Sequence, residues 1–192
     1  SKTTEYAKSP RVRSSVAANV TASWFAERTG YQQMFLWFLA LSFALVLVVF
    51  DSAALDYRLI MAGSLLPWLD LLWGPPWVMH SVLFPVLMMV AVMLIGWGRR
   101  LFQRRWLGLP IGVFVHQVLA ATWTSKDLFW WPTFGLNIGE SRPSVPSATL
   151  AIALEVIGAV VFVWLYRFLG LNDPKRRELF RTSGRVDRAM LR

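Results

Sequence analysis

LIMAGSLLPWLDLLWGPPW, residues 59–77, is the stretch on which the topology turns. It is apolar enough to enter a membrane, yet it carries Pro67, Asp70 and the pair Pro75-Pro76. Proline removes an amide donor and clashes with the preceding turn, so an unbroken helix through Pro67 is disfavoured. The runs on either side are simpler. Residues 30–50 hold no charge between Arg28 and Asp51, matching the ~20 residues that cross a hydrocarbon core as a helix. Residues 78–97 are a second uncharged run, with His80 near its start, and 107–123 a third, with His116 inside. Residues 148–169 form a fourth, carrying Glu155 and, near its end, Arg167.

Charge decides how 59–77 is treated. Arg99, Arg100, Arg104 and Arg105 give the connection after the second run +4, and the tail from Asp173 to Arg192 also carries +4. Both belong on the cytoplasmic side by the positive-inside rule. Residues 1–29 carry +3 and are expected there too. Passing from inside to inside between residues 29 and 99 needs an even number of crossings, and 30–50 and 78–97 already supply two. The expected fold is therefore an all-α integral membrane protein: four transmembrane helices plus a re-entrant or interfacial segment at 59–77, broken around Pro67 on the outer side. Irregular backbone at that depth is tolerated only against protein or a water-filled cavity. The alternative has five full spans and an outside N-terminus, with +3 on the disfavoured face.

Composition agrees. Of 192 residues, 56% are apolar and 16% charged, against roughly 25% charged in soluble proteins, which excludes disorder. The absence of Cys excludes a disulfide scaffold, a thiol nucleophile and a cysteine zinc site, and two His cannot make an all-histidine site. The net charge of +9 is divided among three short juxtamembrane pieces, which argues against nucleic acid as a partner. The organisation expected is a basic N-terminal segment at 1–29, a membrane bundle at 30–169 with an outer loop at 124–147, and a basic tail at 170–192. Residues 16–26 read either as a surface helix dipping Trp24 and Phe25 into the membrane or as a mobile tail. In the tail, Asp173-Pro174 reads as N-cap and first helical residue. Its arginines are expected to bind anionic lipid headgroups.

Ionisable groups inside a bundle are costly and usually face its interior. His80, His116, Asp70 and Glu155 all fall in the outer half of this topology. Two imidazoles and one or two carboxylates can build a catalytic metal site, with zinc taking about three protein ligands and leaving one position open. His80, His116 and Asp70 are the ligand candidates, with Glu155 and Asp70 the candidates for general base or other catalytic carboxylate. The structural alternatives are hydrogen-bonded interior histidines, a protonated Glu155 bonded to a neighbouring span, and Asp70 as a helix cap. In the outer connection Trp123, Trp130 and Trp131 read as an aromatic belt or as a lid on an acyl-chain path, and Lys126 and Arg142 as holders of an anionic headgroup.

Four segments carry a resemblance. Gly63-Ser-Leu-Leu-Pro67, His80-Ser-Val-Leu-Phe84, Leu107-Gly-Leu-Pro-Ile-Gly-Val-Phe-Val-His116, and Thr122-Trp-Thr with Phe129-Trp-Trp-Pro132 follow in that order. They resemble the bacterial inner-membrane metal-dependent hydrolases, some described as LexA-binding, and most closely an actinobacterial branch that shares the tail Gly184-Arg-Val-Asp-Arg188. The resemblance spans residues 59–188. It implies His80 and His116 as ligands, and an Asp four residues after the second His. That position is Ala120 here, and the acidic position expected after the Leu-Leu-Pro run is Trp68. The chain then builds its site with Asp70 and Glu155, has lost catalysis, or carries an engineered Asp→Ala change.

Three functions follow as expectations. The first is a metal-assisted hydrolase, with a divalent ion such as zinc, acting on a lipid-linked phosphate or ester at the outer leaflet of the bacterial plasma membrane, both termini being cytoplasmic. The second is a non-catalytic accessory or scaffold subunit with a membrane-protein partner. The third is a lipid or small-solute transporter, which lacks the paired broken helices of such folds.

Overall fold

The computed structural model describes residues 34–50, 55–70, 78–133 and 146–186. These are mostly helical and include no strand. Helix α1 (Phe35–Phe50) is a run of Phe, Leu, Ala and Val without a charge. Helix α2 (Tyr57–Leu65) starts where the Asp56 side chain accepts the Arg58 amide, and tightens into a 3₁₀ turn at Leu66–Leu69. Pro67 sits in that turn's first positions, where its missing N–H costs least. A 3₁₀ turn (Val78–His80) leads into α3 (Leu83–Ile95). Helix α4 (Arg100–Trp106) passes through Leu107 into α5 (Gly108–Leu119). Past Ala120, Ala121 adopts a left-handed φ of 53° and redirects the chain into a 3₁₀ turn (Thr122–Thr124) and the single turn α6 (Lys126–Phe129). Helix α7 (Ala148–Phe168) is capped by Ser147. Helix α8 (Pro174–Ser183) has Asp173 as N-cap, Pro174 as its first residue and Gly184 closing it at φ 65°, as the Asp-Pro signal predicts.

Contacts give each helix a direction between two ends of the bundle. Helix α1 starts beside His116, which Phe38 stacks upon, and descends to Phe43, whose ring meets Tyr57 and Phe180. Helix α2 leaves from that lower end, where the Tyr57 amide donates to the Gly184 carbonyl at 2.8 Å, and finishes with Asp70 on His80. Helix α3 descends to Arg99. Helix α5 climbs beside α2 and parallel to it, with Gly108 against Asp56, Gly112 against Ile60, and His116 against Ser64. Helix α7 descends from Glu155, at the start of α1, to Leu165 and Leu169 in the core beside Phe43 and Val186. Among the described residues, five passes thus join a histidine end to a basic end.

Within the bundle, residues 57–70 take a course different from the re-entrant segment expected at 59–77. Residues 57–70 do not turn back on one side; they run from the basic end to the histidine end. Pro67 ends this pass in a 3₁₀ turn instead of breaking it midway. Met34 consequently lies at the histidine end and the tail at the basic end, so the start of α1 and the tail do not share a side of the bundle. The basic residues 1–29, including 16–26, lie outside the described residues. The buried Asp56 carboxylate takes Arg58 at 3.0 Å and Arg105 at 3.3 Å, and the Arg58 guanidinium also donates to the Arg181 carbonyl. Burial alone would raise the Asp56 pKa, but the hydrogen bonds and charge of Arg58, then the charge of Arg105, hold it below the ordinary carboxylate value.

Close backbone approach explains why α2 and α5 are the tightest pair. A β-carbon at Gly112 would overlap the Ile60 carbonyl oxygen, and one at Gly63 the Leu109 carbonyl oxygen. Small residues that let backbones touch are how helices associate where water gives no drive. Gly158 plays the same part for α7 on α1, meeting the backbone at Leu36 and Trp37.

The helices in the four uncharged runs are unequal: 16 residues in α1, 13 in α3, 12 in α5 and 21 in α7. Among the described residues, only α7 is long and apolar enough to cross a membrane by itself, with a mean hydropathy of 2.3. At 1.5 Å per residue it reaches about 32 Å, close to a ~30 Å hydrocarbon core. Its outer face shows Ile152, Val156, Val160 and Val163, and α3 shows Val86, Leu87, Val90 and Leu94, all exposed.

A buried Asp–His–His node

The node forms where the upper ends of α2 and α5 meet the turn before α3. Asp70 closes the turn after α2, and its Oδ2 accepts from His80 Nδ1 at 3.0 Å and from the Met79 amide at 2.9 Å. His116, near the end of α5, donates from Nδ1 to the Ser64 carbonyl at 2.6 Å. The two imidazoles meet edge to face with centroids 5.6 Å apart, and Phe38 stacks on His116 at 4.1 Å. Asp70, His80 and His116 are all buried.

Both rings are thus anchored through Nδ1, one by a carboxylate and one by a backbone carbonyl. That is how proteins orient imidazoles whose Nε2 faces a metal. His116 Nε2 is buried and has no hydrogen-bond partner among the described residues. Two imidazoles on one tetrahedral ion at metal–nitrogen distances of ~2.1 Å have centres about 5 Å apart, close to the spacing found. The spacing of the two ring centres therefore matches that of a ligand pair. Among the described residues no cluster of three or more His, Asp or Glu is disposed around one point. Further positions would fall to water or substrate oxygens.

The other residues singled out in the sequence lie as follows. Asp70, expected as a ligand or catalytic carboxylate, commits one oxygen to orienting His80. Glu155, expected as ligand or general base, spends both oxygens on the first turn of α1: Oε1 accepts from the Leu36 amide at 3.0 Å and Oε2 from the Trp37 amide at 3.1 Å. The first amides of a helix have no partner within it, and a carboxylate there also meets the positive end of its dipole. Ala120 follows His116 by one turn but leaves no vacancy, because Met34, Phe38 and Ala151 pack around it. Trp68 is half-buried against Phe35, with its Nε1 unpartnered.

The aromatic connection is brought to the node through backbone. The Val82 amide, just past His80, donates to the Phe129 carbonyl at 2.9 Å. Trp123, Lys126 and Trp130 are exposed on this end, and Trp131 is half-buried. Arg142 lies outside the described residues.

Gln117 escaped the sequence reading. It is fully buried, and its Nε2 donates to the Met79 carbonyl at 3.2 Å and the Ser81 carbonyl at 2.7 Å, bracketing His80 on both sides. Thr122 in turn donates to the Gln117 carbonyl at 3.0 Å. The signal available was an amide beside a histidine in an otherwise apolar run; a scan for charge passes over it.

No family model, curated protein or solved structure matches the chain.

Proposed function

We propose that the chain is a multi-pass helical membrane protein whose Asp70–His80–His116 node holds a divalent ion and, with it, hydrolyses a lipid-linked phosphate or ester. The observation that carries this reading is the pair of imidazoles, both anchored through Nδ1, with an unpartnered Nε2 on His116. A divalent ion there would supply a Lewis acid and a water acidic enough to ionise near neutral pH. The chain's own part is orientation. Asp70 fixes the His80 tautomer, Gln117 fixes its backbone, and Phe38 holds the His116 ring and excludes water. Trp123, Trp130 and Trp131 lie in the connection tied to the node through Phe129, and Lys126, exposed there, would attract an anionic headgroup.

The exposed apolar faces of α3 and α7 support the membrane placement, since soluble surfaces rarely show such patches. The positive-inside rule then assigns the basic end to the cytoplasm and the node to the outer side of a bacterial plasma membrane, with α1 entering from outside. The resemblance to inner-membrane metal-dependent hydrolases points to the same chemistry.

A second reading, an accessory subunit without catalysis, is favoured by two observations: Ala120 is packed by apolar neighbours, and Glu155 is occupied as a cap. Metal analysis of the purified full chain, beside H80A and H116Q, separates the two. The hydrolase reading expects about one zinc per chain, lost in both variants; a wild-type chain without metal after zinc reconstitution supports the accessory role.

A further inference from the structure

A second site lies at the opposite end from the histidines. Between the lower halves of α1 and α7 and the inner face of α8 is a cavity of about 260 Å³. Its walls are apolar, with Ala40 and Phe43 from α1, Leu165 from α7, and Leu171 and Phe180 from the tail. The charged residue on its lining is Arg177, which is exposed and has no ion pair among the described residues. Lys175 and Arg181 stand on the same helix, also exposed.

We infer that this cavity is a binding site for one anionic membrane phospholipid, an acyl chain lying between α1 and α7 and the phosphate at Arg177. Three features select that occupant. The volume, about 260 Å³, admits a slim segment of one acyl chain rather than a whole two-chain lipid. Apolar walls offer a headgroup nothing, and an apolar void left empty forfeits contacts on every wall. A guanidinium at the rim supplies charge-assisted hydrogen bonds to a phosphate, at the end of the bundle where basic residues gather. The occupied site would fasten α8 to the bundle, adding to the link from Gly184 to Tyr57. The inference rests on the membrane placement proposed above and is independent of the metal.

The test is native mass spectrometry of the full chain released from nanodiscs containing equal phosphatidylglycerol and phosphatidylcholine. Wild type is expected to retain one phosphatidylglycerol. R177Q is expected to lose the preference for it by about tenfold, and L171W, which fills the cavity, to retain neither lipid. Circular dichroism and monodispersity in detergent check that both variants fold. No retained lipid on wild type, equal retention of the two lipids, or full retention by L171W would overturn the assignment. None of these outcomes bears on metal content, so failure here is distinct from failure of the hydrolase reading.

Discussion

Replacing Glu155 separates a cap from a catalyst. Its two oxygens hold the Leu36 and Trp37 amides at 3.0 and 3.1 Å, in a part-buried setting where water is a poor substitute. Hydrogen bonds to a charged acceptor contribute about 1.5–3 kcal/mol each. A carboxylate at a helix N-terminus adds ~0.3–1 kcal/mol from the dipole. E155A removes both bonds, and partial solvation of the freed amides returns some of that energy, so a loss of about 3–5 kcal/mol is expected. E155Q keeps one neutral carbonyl acceptor and turns an NH₂ toward the second amide, with an expected loss of about 2–3 kcal/mol. Chemical unfolding of both variants in detergent measures the loss. Hydrogen exchange locates it, and should accelerate at residues 36 and 37 before anywhere else. A general base would behave oppositely, with stability kept and turnover abolished in E155Q. Stability of E155A within about 0.5 kcal/mol of wild type would refute the capping account.

Other perturbations probe the remaining joints. G112L forces a side chain into the Ile60 carbonyl, so α2 and α5 must separate; a loss of more than about 2 kcal/mol is expected, with reduced metal content because Ser64 and His116 sit on those helices. Asp56 titrates lower in the folded chain than in the unfolded one. Its contribution is therefore full above the unfolded carboxylate value of ~3.9 and declines as pH falls through the depressed folded value. Unfolding curves from pH 7 to 2 should show this acid limb in wild type and a shallower one in D56N, which should also be less stable at pH 7. Identical acid limbs would contradict it.

Parts of this architecture were open to reading and others were not, for physical reasons. Helix α7 is a long apolar run with a serine cap, and α8 has Asp-Pro before it and Gly after it; both signals are local. His80, His116 and Asp70 come together at one end of the bundle, whereas Glu155, given the same depth in the sequence, pairs with α1 instead. The pass through α2 was hidden because a proline inside an apolar stretch reads as a break, whereas Pro67 falls where that pass ends. Of the alternatives open for Glu155, the bond to a neighbouring span is the one the helices display, and its partners, two backbone amides, lie 118 and 119 residues away in sequence, beyond any local pattern. Asp70 meets His80 and the Met79 amide through Oδ2, and spacing in sequence cannot distinguish a ligand from a group that orients one.

X-ray absorption at the zinc edge of the full-length, zinc-reconstituted protein in detergent tests the central claim most directly. Two imidazole scatterers at ~2.0–2.1 Å are expected, with oxygen completing the shell and one imidazole lost in H116Q. A shell of oxygen alone, or a single imidazole in wild type, would contradict a shared His80–His116 site.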